Sequence, residues 1–355
     1  MLFLGTVNRV KINTPQGRSV LLLGGEMKDI EPLLPAAGLF IITDSNVHGL
    51  YGRIFPPGVV LTVEPGEQSK TLGKAEELCG RLLEAGADRS SFILGFGGGV
   101  VCDLAGLTAS IYMRGVRHGF VSTSLLSQVD ASTGGKTAVN LGDYKNIIGT
   151  FKQPEFVLCD HRMLSTLPEE ELQSGLGELI KHAVIRDRNL FFDISSSMTK
   201  VYERDPVILG DLISRAVRIK ASVVRRDPLE KGLRRVLNFG HTFGHVLETY
   251  YRIPHGVAVT KGMLLAAELS VWTGDMPHSE LRMLEVLIEK TGMLPDLELP
   301  SNVVSMMSHD KKAEAGSVNI VLLRSVGRAV VRKVPLNEIS AFVSFYRDGR
   351  KVTDD

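Results

Sequence analysis

The first half of the chain alternates short apolar runs with helical patterns, and this alternation restricts the fold more than any other feature. Strand-like runs cover residues 19–24, 39–44, 59–65, 91–99 and 119–124. Helical patterns lie at 72–87 and 100–113. Strands that alternate with helices are typical of a parallel sheet covered by helices. We therefore predict an α/β fold that begins with a Rossmann-like parallel-sheet domain.

The pattern changes near "STLPEEEL", where Thr166 and Glu169 form a capping-box sequence and Pro168 suits a first helical turn. A chain of 355 residues usually exceeds a single core. We predict an α/β domain at 1–165 and a mainly α-helical C-terminal domain at 166–355. Helical patterns in the second domain cover 168–186, 206–226, 239–251, 256–273 and 278–291, and a hairpin pattern follows them at 318–334.

The charge balance argues against two classes of partner. Forty-one Lys and Arg against forty Asp and Glu leave a net charge of +1, so no overall field attracts nucleic acid or anionic lipid. The opening residues do not resemble a secretory signal, and no apolar run approaches the roughly 20 residues of a membrane helix. Three widely separated cysteines fit free thiols in a reducing compartment. We expect a cytoplasmic protein.

The stretch "SFILGFGGGVVCDLAG" is an apolar strand, a glycine-rich turn and the start of a helix. Glycines there let the backbone approach a ligand closely, and the N–H groups of a helix N-terminus favour phosphate. The strict dinucleotide fingerprint needs glycine at position 100, which is Val100. The residues alone leave open a cofactor phosphate site or a simple tight turn.

The stretch "LNFGHTFGHVLETYYRIPHG" contains His241, His245 and His255. The first two are four residues apart and share one helical face, and imidazole is a common zinc ligand. Glu178 in "SGLGELIKH" offers a carboxylate, with Lys181 one turn away. The stretch lacks the glutamate that a zinc protease uses as its base, which excludes that class. Ordinary core or surface histidines remain an alternative.

Several motifs together resemble the 3-dehydroquinate synthase family of sugar-phosphate cyclases. They are "GGGVVCDLAG", "YMRGVR", "VDASTGGKTAVN", "YKNIIGTFKQP", "LGELIKH", "LNFGHTFGH" and "HGVAV", within residues 44–312. The resemblance implies a carbon–oxygen lyase of the shikimate pathway, which converts 3-deoxy-D-arabino-heptulosonate 7-phosphate to 3-dehydroquinate and phosphate. In that reaction NAD⁺ transiently oxidises the C5 hydroxyl, phosphate is eliminated, the ketone is reduced again, and an intramolecular aldol step closes the ring.

The resemblance also assigns residues to zinc, or cobalt, and to the substrate. It implies Glu178, His241 and His255 as metal ligands and turns His245 toward the substrate. The residues with implied catalytic or substrate contacts are polar or charged. They are Arg114, Asp130, Lys136, Asn146, Lys181, Lys220, Arg234, Asn238 and His245, with Lys311 or Lys312 from "DKK".

For NAD the resemblance implies a second group, drawn from strand ends, the glycine-rich turn and the segment 163–166. The group is Asp44, Asn46, Glu67, Lys70, Gly98, Gly99, Val100, Asp103, Thr123, Ser124, Lys136, Lys145, Met163, Leu164, Ser165 and Thr166. The resemblance further implies a homodimer that acts on a small-molecule sugar phosphate.

Four residues depart from the family pattern: Cys102, Tyr144, Val257 and Lys261. The last two could alter the surroundings of His255. Three other functions remain open. One is a sister cyclase acting on another sugar phosphate, the second a metal-dependent polyol dehydrogenase, and the third a catalytically silent regulator that binds NAD and zinc.

Overall fold

The structure is a computed structural model, and it describes residues 7–142, 144–293, 297–308, 313–314 and 316–351. Backbone proximity divides the chain into two compact units. Unit 1 comprises residues 1–175 and 204–229, and unit 2 comprises residues 176–203 and 230–355. The second unit is thus interrupted in sequence by a helix of the first. The domain boundary near residue 165 stays a prediction, because a unit defined by proximity need not fold independently.

Unit 1 contains a seven-stranded sheet of order β1-β2-β9-β6-β5-β3-β4. Strand β1 is antiparallel to β2, and the remaining neighbours pair in parallel. A two-stranded antiparallel sheet, β7 and β8, is separate from it. The strands are β1 Asn8–Thr14, β2 Gly17–Leu23, β3 Leu39–Asp44, β4 Val59–Val63, β5 Phe92–Gly97, β6 Arg117–Ser122, β7 Lys136–Leu141, β8 Tyr144–Phe151 and β9 Phe156–Cys159.

The centre of the large sheet is apolar on both faces. All six residues of β5 are buried, as are all four of β9. A strand covered on both sides reads as a continuous apolar run without alternation, which is what the sequence has at 91–99. The helices of this unit are α1 Met27–Ile30, α2 Ser45–Tyr51, α3 Leu72–Glu84, α4 Gly99–Ile111 and α8 Pro206–Arg226.

Unit 2 is mainly helical. Helix α5, Glu169–Arg186, begins in unit 1 and carries the chain into unit 2. The other elements are α6 Arg188–Ser196, α7 Met198–Tyr202, α9 His241–Tyr251, α10 His255–Trp272, α11 His278–Lys290, α12 Val303–Ser308, β10 Ala313–Glu314, β11 Ser317–Ser325, β12 Arg328–Pro335 and α13 Leu336–Lys351. The three strands form an antiparallel sheet of order β10-β11-β12.

The predicted α/β fold with a parallel sheet and a helical C-terminal part is confirmed. The helix over 206–226 has the predicted bounds, and the hairpin at 318–334 forms as β11 and β12. The edge strand β1 and the β7–β8 hairpin were not predicted. Both are exposed on much of their surface, so their patterns lack an apolar run. Within the part of the chain that the structure describes, none of the helices has the combined length and apolar character of a membrane span.

Candidate active site

Glycines bring helices α9 and α10 into backbone contact. A side chain at Gly262 of α10 would place its Cβ 2.1 Å from the carbonyl oxygen of Gly240 and 2.6 Å from the amide nitrogen of Gly244. A Cβ at Gly244 would in turn lie 3.1 Å from the carbonyl oxygen of Ala258. Only glycine allows helix backbones to approach this closely. This contact draws the N-termini of the two helices together, where His241 and His255 lie.

Helix α5 approaches α10 in the same way. A Cβ at Gly177 would lie 2.9 Å from the carbonyl oxygen of Gly256. Glu178, the next residue along α5, is 1% exposed. Thus α5, which is distant in sequence, and the consecutive helices α9 and α10 present one carboxylate and two imidazoles to a common point.

We call Glu178, His241 and His255 the histidine cluster. Their ligand atoms all lie within 4.8 Å of one another. Oε1 of Glu178 is 3.4 Å from Nε2 of His241 and 3.6 Å from Nε2 of His255. Two imidazoles and one carboxylate are the donor set of many catalytic zinc sites, which keep a position open for substrate. The cluster therefore has the composition and spacing to hold a divalent metal ion.

The outer ring nitrogens of both histidines are engaged. Nδ1 of His241 is 3.2 Å from the backbone oxygen of Phe239, and Nδ1 of His255 is 3.2 Å from Oε2 of Glu248. A carbonyl or an ionised carboxylate can only accept, so each Nδ1 donates its proton, and Nε2 is the nitrogen that a metal ion would bind once it is deprotonated. Glu248 was not predicted. Its position on the face of α9 that carries His241, seven residues later, was the available signal.

The histidine cluster has unusual proton affinities. Burial lowers the pKa of His241 well below its ordinary value. Burial also lowers the pKa of His255, but the hydrogen bonds to Glu178 and Glu248 outweigh it and raise the pKa to about 9. Perturbed proton affinities at one point in a structure are typical of functional sites.

Other residues predicted from the sequence lie beside the histidine cluster in unit 2. The Lys181 ammonium forms a close ion pair with Oε2 of Glu178, and Lys181 is 1% exposed. The exposed ring of His245 lies with its centroid 5.3 Å from that of His241. Arg234 and Asn238 lie on the 3-10 helix Leu233–Asn238, which precedes α9. Arg234 is 2% exposed, and Asn238 donates to Glu230 over 2.5 Å.

In unit 1 the residues predicted to bind NAD lie at the carboxyl ends of parallel strands. The chain continues from β3 to β4 on one side of the sheet, and from β5 to β6 and β9 on the other. The strand order therefore reverses between β3 and β5, and such switch points are where α/β sheets bind ligands. Asp44 ends β3 and caps α2 by accepting from the amide of Val47 over 2.9 Å.

Gly97, Gly98 and Gly99 form what we call the glycine turn, between β5 and α4. A Cβ at Gly97 would lie 2.6 Å from Cβ of Val101, and one at Gly98 would lie 3.3 Å from Oγ of Ser124. The turn is therefore tightly packed, and its N–H groups lie at the start of α4, which begins at Gly99. The amide of Thr123 donates to the oxygen of Gly97 over 3.0 Å, which joins β6 to the turn.

Polar contacts link three residues predicted to bind NAD, Glu67, Lys70 and Asp103, to their surroundings. The Lys70 ammonium is 2.5 Å from Oδ2 of Asp103. The side chain of Asn140 donates to Glu67 over 2.8 Å and accepts from the amide of Asn146 over 2.9 Å.

The segment predicted to bind NAD at 163–166 is joined to α2. The Tyr51 hydroxyl donates to the oxygen of Met163 over 2.9 Å and lies 2.6 Å from Oγ1 of Thr166. Leu164 is fully buried, whereas Ser165 is exposed. Asn46 lies in the first turn of the same α2, so Tyr51 connects two parts of the predicted NAD group.

Predicted substrate contacts in unit 1 form a second polar group. Nζ of Lys220 on α8 is 2.7 Å from Oδ1 of Asp130, which lies in the π-helix Ser127–Ala131. π-helical turns are rare in proteins and occur frequently at functional sites. Arg114 and Asn146 have positive φ angles of 68° and 55°. Left-handed backbone in residues other than glycine costs about 1–3 kcal/mol and clusters at functional sites.

Lys136 begins β7 and Lys145 lies near the start of β8, and both are exposed. The segment with Lys311 and Lys312 lies outside the described residues.

Of the departures from the family pattern, Cys102 is buried in α4 and Tyr144 is exposed on β8. Burial raises the pKa of the Cys102 thiol, so it stays protonated.

The other two departures lie on α10. Val257 is half-buried, and Lys261 is buried at 6% exposure in a helix whose other residues at 258–267 are apolar, Gly or Thr. Both follow His255 on the same helix, within two turns.

Comparison with known proteins decides the family. The family model for the N-terminal part of 3-dehydroquinate synthase matches residues 60–174, and the model for its C-terminal part matches residues 175–313. The chain belongs to the 3-dehydroquinate synthase family. A 3-dehydroquinate synthase of Acidithiobacillus ferrooxidans is 42% identical over 314 residues, which cover 84% of this chain and 86% of that protein. The chain is accordingly an enzyme.

Solved structures with the same fold include two synthases that bind NAD⁺ and a metal ion. A 2-deoxy-scyllo-inosose synthase complexed with carbaglucose-6-phosphate, NAD⁺ and Co²⁺ superposes with a TM-score of 0.84 at 26% identity, covering 95% of this chain and 99% of that one. A 2-epi-5-epi-valiolone synthase from Streptomyces hygroscopicus subsp. jinggangensis, with NAD⁺ and Zn²⁺, has a TM-score of 0.84 at 24% identity, covering 98% and 99%. The second likeness shows the fold alone.

Proposed function

We propose that this enzyme is a 3-dehydroquinate synthase that converts 3-deoxy-D-arabino-heptulosonate 7-phosphate to 3-dehydroquinate and phosphate. The observation that carries the proposal is the histidine cluster of Glu178, His241 and His255 in a chain that matches the family over residues 60–313. The reaction is a carbon–oxygen lysis with no net redox change.

The cluster would hold Zn²⁺ or Co²⁺. Its donor set fits because each Nε2 is directed at the carboxylate of Glu178 and each Nδ1 is occupied by a hydrogen-bond acceptor. When bound, the ion supplies Lewis acidity to the hydroxyl that is oxidised. The two imidazoles and the carboxylate would hold the ion and leave coordination positions for the substrate.

The carboxyl edge of the unit 1 sheet would bind NAD. Asp44 would accept from ribose hydroxyls, and the N–H groups that follow the glycine turn would receive the pyrophosphate. The ion pair of Lys70 and Asp103 would lie beside the bound cofactor, because Asp103 is on α4, the helix that follows the glycine turn. When bound there, NAD would supply reversible hydride transfer for the oxidation and the later reduction of the substrate.

The cationic side chains would bind the carboxylate and phosphate of the substrate. Lys181 and Arg234 are buried, and their charged groups can donate to carboxylate or phosphate oxygens. Lys181 and His245 would hold or move protons at the substrate. The other proposed contacts are Arg114, Asp130, Lys136, Asn146, Lys220 and Asn238, with NAD contacts extended to Lys145 and the segment 163–166.

The test is an assay of phosphate release and 3-dehydroquinate formation with NAD⁺, with and without a chelator. We expect turnover that the chelator abolishes, that Zn²⁺ or Co²⁺ restores, and that accumulates no NADH. Net NADH formation would point to a polyol dehydrogenase instead, and binding of NAD and metal without any turnover would point to a regulator.

Sedoheptulose 7-phosphate and glucose 6-phosphate are the comparison substrates. Turnover of either one, with none of the heptulosonate, would assign the chain to a sister cyclase. It would also direct attention to Tyr144, Val257 and Lys261.

We further propose a homodimer in the cytoplasm. Family resemblance supports the dimer, and the free thiols of Cys79, Cys102 and Cys159 fit a reducing compartment. Light scattering coupled to gel filtration measures the first, where a monomer mass at micromolar concentration would contradict it.

A further inference from the structure

Helix α9 carries a carboxylate, that of Glu248, on the face that also carries His241 and His245. Glu248 follows His241 by seven residues, and a straight helix drifts only about 20° over that interval. Glu248 is 5% exposed. A buried carboxylate is costly to desolvate, so its place in the interior requires polar partners.

Glu248 contacts the far side of a predicted metal ligand. Its Oε2 is 3.2 Å from Nδ1 of His255, whose Nε2 is 3.6 Å from Oε1 of Glu178. The ring of His255 therefore lies between two carboxylates, one on α5 and one on α9. A carboxylate behind a ligating histidine fixes the tautomer and the ring orientation, and it makes the imidazole a stronger donor.

The two histidines of the cluster differ in this respect. His241 has a neutral backbone oxygen, that of Phe239, at 3.2 Å from its Nδ1. His255 has the charged side chain of Glu248. The carbonyl is fixed by the backbone and cannot be removed by substitution, whereas the carboxylate can.

We propose that Glu248 is a positioning residue that keeps Nε2 of His255 available and thereby sets the affinity of the histidine cluster for its divalent metal. This inference rests on the proposed function, since it presumes that the cluster binds metal. It goes further by placing a large part of the affinity in a residue that does not touch the ion.

The experiment compares Glu248→Gln and Glu248→Ala with the wild-type chain. Glutamine keeps the shape and an accepting oxygen but removes the charge, and alanine removes both. The matched control is Glu289→Gln on α11, where the carboxylate is 55% exposed and lies 3.9 Å from Arg282. Dissociation constants for Zn²⁺ are measured by competition with a chromophoric chelator, and the visible spectrum is recorded with Co²⁺.

We expect Zn²⁺ to bind about 10- to 100-fold more weakly to Glu248→Gln, and at least as weakly to Glu248→Ala. Glu289→Gln should match the wild type. The Co²⁺ bands should shift in Glu248→Gln, while NAD affinity and thermal unfolding of the metal-free protein stay unchanged. A purely structural role would change unfolding and leave the Co²⁺ spectrum alone.

Two results would overturn the inference in distinguishable ways. If the wild type binds one Zn²⁺ and Glu248→Gln binds it within twofold with the same Co²⁺ spectrum, the role of Glu248 is refuted and the proposed function stands. If the wild type binds no metal at a ratio of one per chain, the proposed function itself fails, and this inference with it.

Discussion

The histidine cluster of unit 2 consists of side chains, whereas the glycine turn of unit 1 consists of backbone groups. The turn offers backbone N–H groups at a strand end, and its specificity comes from having no side chains at Gly97, Gly98 and Gly99. The cluster consists of side chains whose positions depend on three helices meeting. The first kind of site is local in sequence, and the second is not. Substitutions in the cluster should therefore act by removing a ligand or a charge. Substitutions at close backbone contacts should act by steric overlap.

The largest effect should come from removing a ligand of the cluster. His241→Ala takes away one of three donors, so metal affinity should fall by more than about 100-fold, beyond the usual loss for an outer residue. Activity should disappear with the metal. Metal analysis after dialysis and the phosphate-release assay measure both. His278→Ala, an exposed histidine of α11, is the control, and stoichiometric metal in His241→Ala would refute the site.

Lys181→Met should separate chemistry from metal binding within the same cluster. The variant keeps the length of a side chain that is 1% exposed but removes the charge and the proton. We expect kcat to fall by about 10²- to 10⁴-fold, the usual contribution of proton transfer, with Zn²⁺ and NAD still bound. Steady-state kinetics and metal analysis report the two properties. The exposed Lys200→Met is the control, and an unchanged kcat would show that the substrate lies elsewhere.

Gly262→Ala tests whether helix contact builds the cluster. The new Cβ would lie 2.1 Å from the oxygen of Gly240, so α9 and α10 must separate. We expect a loss of about 3 kcal/mol in the free energy of unfolding, together with weaker Zn²⁺ binding. Denaturant unfolding measures the first.

The matched control for that variant is Gly80→Ala, in an exposed turn of α3 with nothing within 4 Å of a new Cβ. This substitution should stabilise the protein by about 0.5–1 kcal/mol, since alanine favours helix. Equal effects of the two changes would contradict the close contact.

The effect that is smallest at neutral pH concerns His118, a buried histidine of unit 1. His118 on β6 is 1% exposed, and neither ring nitrogen has a hydrogen-bond partner among the described residues. Burial, with the nearby charge of Lys152, lowers the pKa of His118 from 6.5 to about 3. Between about pH 6.5 and pH 3, His118 is protonated in the unfolded chain but neutral in the folded chain. The free energy of unfolding therefore decreases as the pH falls through this range.

His118→Leu should remove up to about 1.4 kcal/mol per pH unit from that dependence. Urea unfolding between pH 7 and pH 4 measures the slope, with His278→Ala as control. Parallel curves for His118→Leu and the wild type would show that His118 does not stay neutral. The contrast with His255 would then weaken, because His255 owes its raised pKa to two carboxylates that His118 lacks.

Much of the fold followed from local pattern. The buried strand β5, the helix at 206–226 and the C-terminal hairpin each have a periodicity or an apolar run that specifies them. The edge strand β1 and the β7–β8 hairpin lacked such a pattern. The placement of α8 in unit 1 could not be predicted, because a helical pattern does not say which neighbours its apolar face will meet.

The sequence by itself determined the buried strand β5, the helix α8, the C-terminal hairpin, the glycine turn and the residue types of the histidine cluster, because each is encoded within a short stretch. Only the tertiary structure decided that Glu248 lies behind His255, that a backbone oxygen lies behind His241, and that Nε2 of each ring is directed at Glu178. These contacts depend on the separation and rotation of α5, α9 and α10. Glycine contacts between backbones set that separation, and such contacts join residues that no sequence period relates.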